Sequence, residues 1–175
     1  MQEQKHEVQL YEMLEARERR ADQQKLLLAR YHCPVICFML NIPGPVKVCA
    51  QWEKAFEHGR KQIMQKLEEQ QIPVLYSQTI RPKTGYELYV AADCEAQRLK
   101  NLCCDIEDGS ELGRLYDVDV IGTDGYKKSR DVMGIPPRKC LLCGAEAHAC
   151  ARSRRHSVAE LIQRIDQIIT EQLGE

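Results

Sequence analysis

The sequence predicts a single α+β domain spanning residues 1–175, with a mixed or antiparallel sheet flanked by helices. Three observations carry this reading. Two apolar runs of strand length, at 35–40 and 115–121, are separated by segments of helical period. Between them, residues 73–80 and 86–91 read as two strands around a turn at 82–85, a hairpin with a longer loop. The last stretch, 157–173, begins with a helix-capping signal and keeps one apolar face.

The elements follow in order. Residues 5–30 read as a helix on which Val8, Tyr11 and Leu14 share a face and Leu26, Leu27 and Leu28 form a second apolar patch. The run Glu15-Ala16-Arg17-Glu18-Arg19-Arg20 between them has the mixed charge of a solvated helix face. Residues 35–40 form a buried strand. Pro43-Gly44-Pro45 then enforces a loop, since proline fixes φ and removes a donor. Trp52, Ala55, Phe56, Gly59, Ile63 and Leu67 recur at helical spacing in a segment that ends before Pro73. The hairpin follows. Ala96, Leu99, Leu102, Cys103 and Ile106 mark a third helix closed by Asp108-Gly109-Ser110. The strand 115–121 leads into an Asp-Gly turn at Asp124-Gly125. Residues 126–156 are basic, with Lys and Arg at 127, 128, 130, 138, 139, 152, 154 and 155 against Asp131 and Glu146. In the final helix Ser157 and Glu160 form a capping box, and Val158, Leu161, Ile162, Ile165, Ile168 and Ile169 share its apolar face.

Composition narrows the function classes. A formal net charge of −1 gives no global field to recruit nucleic acid or an anionic membrane. No aromatic residue follows Tyr126, so the basic segment lacks stacking platforms for bases. The longest clean apolar run, 35–40, falls far short of the roughly 20 residues that cross a bilayer. The polar start of the chain gives no secretory signal. Nine cysteines, an odd number, read as reduced thiols of a cytoplasmic protein.

Chemistry concentrates at Gly113-Arg114-Leu115-Tyr116-Asp117-Val118-Asp119-Val120. Alternate residues of a strand face one way, so Asp117 and Asp119 project together while Val118 and Val120 turn towards a core. Paired carboxylates present a hard divalent cation such as Mg²⁺ to phosphate, and they repel each other without one. Gly113 would let backbone approach a ligand, and Arg114 offers a planar fork for phosphate. The plain alternative is the solvent face of an edge strand. Lys47, in the Pro-Gly-Pro loop, is a candidate phosphate ligand or an ordinary exposed lysine. His58 is a candidate general base or a helix-surface residue. Arg138 and Arg152 belong to a basic surface that would bind phosphates or an acidic protein, or simply face solvent.

Cys140-Leu141-Leu142-Cys143 has zinc-ligand spacing, and His148, Cys150 and His156 lie downstream. A second Cys-x-x-Cys and paired histidines are both missing. Structural zinc, a redox pair and buried free thiols therefore stay open, and the leucines between the thiols favour the last.

Several blocks, in order, resemble one family. They are Pro43-Gly44-Pro45-x-Lys47, Phe56-x-His58-Gly59, Gly113-Arg114-Leu115-x-Asp117-x-Asp119-Val120, Pro136-Pro137-Arg138-x-Cys140-Leu141-Leu142-Cys143, and Cys150-Ala151-Arg152 followed by His156. Together they resemble the apo-citrate lyase phosphoribosyl-dephospho-CoA transferases, or citrate lyase holo-acyl-carrier-protein synthases (CitX). The resemblance implies a nucleotidyltransferase-like fold. It implies transfer of the prosthetic group from triphosphoribosyl-dephospho-CoA to a serine of the acyl-carrier subunit of citrate lyase, with release of diphosphate and dependence on Mg²⁺. It implies catalytic roles for Asp117, Asp119, Arg114 and His58, the carboxylates also holding the metal, and precursor-binding roles for Gly113, Lys47, Arg138 and Arg152. His148 falls outside the pattern, so a structural zinc would take Cys140, Cys143, Cys150 and His156. Two rivals remain: an enzyme of the same chemistry with another carrier, and a non-enzymatic, zinc-stabilised adaptor with a basic partner-binding segment.

Overall fold

The computed structural model describes residues 6–174. Its sheet is built from β1 (Val35–Leu40), β2 (Val74–Ile80), β3 (Glu87–Ala92) and β4 (Tyr116–Ile121), in the order β2-β3-β1-β4. Every pairing is antiparallel. The helices are α1 (Leu10–Tyr31), α2 (Ala50–Glu69), α3 (Ala96–Asp108), α4 (Ala147–Arg152) and α5 (Val158–Leu173). A 3₁₀ turn, Gly113–Leu115, leads into β4.

Strand periodicity divides the sheet into two unlike faces. Ile36, Phe38, Leu88, Val90, Val118 and Val120 point one way, into a large core closed by α2, α3 and α5. The opposite face carries Val35, Cys37, Tyr89 and Ala91, which pack with Leu27 of α1 in a small cluster. In α5, Ile165, Ile168 and Ile169 are buried as the apolar face requires, and Ser157 and Glu160 make the expected capping box.

α1 departs from the sequence reading. The expected start at residue 5 lies outside the described residues, and the helix begins at Leu10. Before it the chain is extended: Glu7 bridges Val46, and the Val8 N–H donates to the Pro45 carbonyl (2.9 Å). Of the residues expected to share an apolar face, Val8 is buried ahead of the helix, whereas Tyr11 and Leu14 point outward at 62% and 48% exposure, as does Leu10 at 76%. Of the charged run, Glu15, Arg17, Glu18 and Arg19 are exposed as expected, while Ala16 is buried and Arg20 half-buried. The cause lies across the interface. Glu87 is wholly buried on the sheet face beneath α1, and a buried charge needs partners. Arg19 and Arg20 donate to its Oε1 at 2.6 and 3.0 Å, and the Tyr89 hydroxyl donates to its Oε2 at 2.5 Å.

The outer edge of β4 is sealed by side chains of α3. The Lys100 ammonium donates to the Val118 carbonyl (2.8 Å), and the Val118 N–H donates to Glu107 (2.9 Å). Both are buried, satisfying strand groups that an open edge would leave unpaired.

The block Phe56-x-His58-Gly59 is a packing device. Phe56 stacks on Phe38, with ring centroids 5.0 Å apart, and His58 Nδ1 lies 3.0 Å from the Tyr116 hydroxyl. A Cβ on Gly59 would meet Phe38 Cζ at 2.6 Å and Tyr116 Cζ at 2.9 Å. Gly59→Ala is therefore expected to lower stability. Overpacking a rigid core costs about 1–3 kcal/mol, and better helix propensity returns at most about 1 kcal/mol. Urea unfolding checks this: an unchanged or higher midpoint would show that the two rings can move aside.

Candidate active site

α1 covers only part of its sheet face. Beyond Cys37, where β1 ends and β4 begins, the sheet floor is open and a cavity of about 280 Å³ remains. Asp117 and Asp119 form part of its floor, placed there by pairing opposite Met39 and Cys37 of β1. Arg17 and Arg20 of α1 reach its wall, as do Lys47 from the Pro-Gly-Pro loop and Thr84 from the hairpin turn. The Thr84 hydroxyl is buried and makes no hydrogen bond. Two carboxylates thus face three cations across a small polar hollow.

The electrostatics reflect this crowding. Asp117 is exposed to the open cavity, yet the partial loss of water around its carboxyl raises it above its ordinary value, and the neighbouring charge of Asp119 pushes it further. Asp119 Oδ1 pairs with Lys127 Nζ at 2.5 Å. Burial works against the Lys127 charge, but the hydrogen bond to Asp119 and the surrounding carboxylates outweigh it and raise its pKa. Lys47 is lowered by burial and by Arg17, and its ammonium donates to the Ile42 carbonyl at 2.6 Å. Burial, with Asp119 alongside, lifts the Cys37 thiol to about 12, so it stays protonated and is a poor nucleophile at neutral pH.

Of the residues singled out in the sequence, Asp117, Asp119 and Lys47 line this cavity. The others do not. His58 sits on α2, behind the sheet, bonded to Tyr116. Gly113 approaches protein rather than an open site: a Cβ there would lie 2.3 Å from the Ile106 carbonyl and 2.8 Å from that of Glu107, so it lets the 3₁₀ turn nest on the end of α3. Arg114 spans Glu111 and the Cys140 carbonyl, to which Nη2 donates at 3.0 Å. Arg138 donates to the Arg114 carbonyl (2.7 Å) and approaches Glu107. Arg152 ends α4 on the surface. The sequence reading missed Arg17, Arg20, Thr84 and Lys127; the three-residue spacing of Arg17 and Arg20 on one helix was the available signal.

The basic segment is less basic than its composition. Lys127, Lys128, Arg130 and Arg138 are engaged by Asp119, Asp124, Glu107 and Asp108. Among the described residues, Lys139, Arg152, Arg154 and Arg155 remain as exposed cations in no ion pair.

The fold also gathers Cys140, Cys143, Cys150 and His156 into a potential metal site. One ligand atom from each lies within 4.8 Å of all the others. The expectation of leucines and thiols in the core holds in part: Leu141 packs against the core and Cys140 and Cys150 are buried, whereas Leu142 is 38% exposed and Cys143 is exposed. His148 points to solvent outside the group. No helix among the described residues is long and apolar enough to cross a membrane.

A family profile described as CitX, apo-citrate lyase phosphoribosyl-dephospho-CoA transferase, matches residues 8–172. A protein of Vibrio cholerae serotype O1 (strain M66-2) named "Probable apo-citrate lyase phosphoribosyl-dephospho-CoA transferase" is 37% identical over 162 residues, 92% of this chain and 91% of the relative. One of Streptococcus pyogenes serotype M18 with the same name is 36% identical over 93% of this chain and 85% of its own length. One of Escherichia coli O9:H4 (strain HS), named "Apo-citrate lyase phosphoribosyl-dephospho-CoA transferase", is 30% identical over 95% of this chain and 91% of its own length.

Proposed function

This chain belongs to the apo-citrate lyase phosphoribosyl-dephospho-CoA transferase family, and we propose that it performs that transfer in the cavity between α1 and the sheet. The observation that carries the assignment to this cavity is the juxtaposition of Asp117 and Asp119 with Arg17, Arg20 and Lys47. In this reading the acceptor is a serine of the acyl-carrier subunit of citrate lyase, and the donor is triphosphoribosyl-dephospho-CoA. The serine oxygen forms a bond to the innermost phosphorus of the triphosphate as the bond to diphosphate breaks. The product is a phosphodiester.

The residues suit the demands of that step. Arg17, Arg20 and Lys47 bind and orient the triphosphate, whose charge they match. The buried, unbonded Thr84 hydroxyl offers a further donor. Serine needs a proton acceptor. His58 lies behind the sheet, so the role falls to the carboxylates. Asp117, open to the cavity and raised by partial desolvation and the Asp119 charge, is suited to it, since a base works best with a pKa nearer the working pH. Arg114 and Arg138 act as positioning residues, tying the turn before β4 to the cysteine segment.

Asp117 and Asp119 also fit a Mg²⁺ ion: they supply hard oxygen donors side by side, and the charge on each burdens the other. When bound, such an ion would neutralise charge developing on the leaving diphosphate. The adaptor reading is not favoured, since the named relatives are transferases. We place the fold with the nucleotidyltransferase-like proteins on the strength of the reaction and this strand-borne acidic pair. The free cysteines support a cytoplasmic setting.

The test is the intact mass of the apo carrier subunit after incubation with this protein, the precursor and Mg²⁺. A gain equal to the phosphoribosyl-dephospho-CoA group, abolished by chelator, is expected. No gain with a folded protein and a competent precursor would overturn the reading for this carrier, and a gain on a different carrier would redirect it.

A further inference from the structure

We propose that Cys140, Cys143, Cys150 and His156 bind one structural Zn²⁺ that folds the cysteine segment and braces it against the turn entering β4. The site is separate from the acidic cavity and stands whether or not the transfer assignment holds.

Four observations carry it. The ligand atoms converge to within 4.8 Å of one another from three places: a tight turn, α4 and the loop before α5. Cys143 Sγ and Cys150 Sγ are 3.9 Å apart. Tetrahedral zinc with bonds of about 2.3 Å holds its sulfurs about 3.8 Å apart. The turn itself is shaped for a thiolate. The Leu142 N–H points at Cys140 Sγ (3.5 Å), the Gly144 N–H donates to the Cys140 carbonyl, and the Cys140 N–H donates to the Ala145 carbonyl. Finally, His156 Nε2 is buried and has no hydrogen-bond partner. A buried unsatisfied nitrogen is costly, and a metal is the partner that three adjacent sulfurs would share with it.

The donor set selects the metal. Three thiolates and an imidazole are soft ligands that disfavour Mg²⁺ and Ca²⁺, and a closed set of four protein ligands marks a structural rather than a catalytic zinc. Its position explains the Arg114 contacts. The carbonyl of the ligand Cys140 accepts from Arg114 Nη2, and Arg138, two residues before Cys140, donates back to the Arg114 carbonyl. The metal-bound turn and the start of β4 are thereby cross-tied, three residues before Asp117.

The experiment uses the full chain, purified under reducing conditions without added metal. Elemental analysis is expected to give one zinc per chain. Replacement by Co²⁺ should produce the near-ultraviolet thiolate charge-transfer band of a tetrahedral site. In the native protein Cys140, Cys143 and Cys150 should resist alkylation until zinc is chelated. Chelation should speed tryptic cleavage at the exposed Lys139, Arg152, Arg154 and Arg155 by roughly tenfold, as expected when a local segment opens. Cys150→Ser should lose the metal; if that variant does not fold, the wild-type measurements decide alone. Substoichiometric zinc with no cobalt band would overturn the proposal. So would a mass lower by two hydrogens that locates a Cys143–Cys150 disulfide.

Discussion

Asp119→Asn is expected to reduce prosthetic-group transfer by about 10²–10³-fold or more, the scale seen when one preorganised electrostatic contact to a transition state is removed. The change preserves shape. It leaves Lys127 without its partner, but Lys127 is 54% exposed and can turn to water, so the fold should survive. Asp117→Asn should be equally inactive and, in addition, slightly more stable than the natural chain at neutral pH, the gain being small because Asp117 is exposed and water screens its charge. Partial loss of water and the Asp119 charge hold the Asp117 carboxyl above its ordinary value, so the native state binds that proton more tightly than the unfolded chain does. The contribution to stability is therefore full below the unfolded pKa and is lost as pH rises through the folded one. Asparagine removes this dependence. Without divalent cations, the melting-temperature advantage of Asp117→Asn should be absent near pH 3 and grow as pH rises. Added Mg²⁺ should stabilise the natural chain and not the variant, because only a state that binds the ion gains from it. Wild-type transfer rates in either variant would remove the carboxylates from the mechanism. A variant less stable than the natural chain at neutral pH would mean that Asp117 is held by contacts other than those seen here.

Much of this arrangement was legible in the residues. β1, the hairpin, α2 and α5 follow apolar periods and turn signals whose packing matches the pattern. The acidic pair was legible because strand alternation alone puts Asp117 and Asp119 on one face. What failed, failed for one physical reason: polar groups were used to pack. α1 turns Arg19 and Arg20 to the buried Glu87 and, Leu27 apart, leaves Leu10, Leu14 and Leu26 outside, so the hydrophobic pattern of its first turns pointed the wrong way and concealed Arg17 and Arg20. Gly113-Arg114 and Phe56-x-His58-Gly59 look like ligand-binding blocks, yet their contacts are internal, to the end of α3, the cysteine turn and two aromatic rings. All four residues of the cysteine cluster were named from the sequence, by two routes. Cys140 and Cys143 announce themselves by spacing, whereas Cys150 and His156 came from the family resemblance, since they arrive through α4 and the turn after it, which no local spacing encodes.

The buried Glu87 links the misread helix to the proposed site, and Glu87→Ala should have the largest effect on stability. The carboxylate is wholly buried and receives Arg19, Arg20 and the Tyr89 hydroxyl. Truncation leaves the Arg20 guanidinium, 13% exposed, without its carboxylate partner at the cavity wall. Breaking a buried pair from one side costs about 3–5 kcal/mol. Arg19, 43% exposed, can recover water, so the lower end of that range applies. At about 2–4 °C per kcal/mol for a chain of this size, the melting temperature should fall by roughly 6–12 °C. The activity readout separates two roles for α1. If the Glu87 cluster only holds the fold, the variant assayed well below its melting point should transfer normally. If it also fixes the helix that carries Arg17 and Arg20 into the cavity wall, KM for the triphosphate donor should rise while kcat changes less, because those arginines bind the donor and do not react. Tyr89→Phe, which removes one donor and leaves both arginines paired, should show the same pattern in reduced form. A Glu87→Ala protein as stable as the natural chain would show that α1 is held instead by the apolar packing of its Leu27 on the sheet, and that its charged stripe is free to move over the cavity.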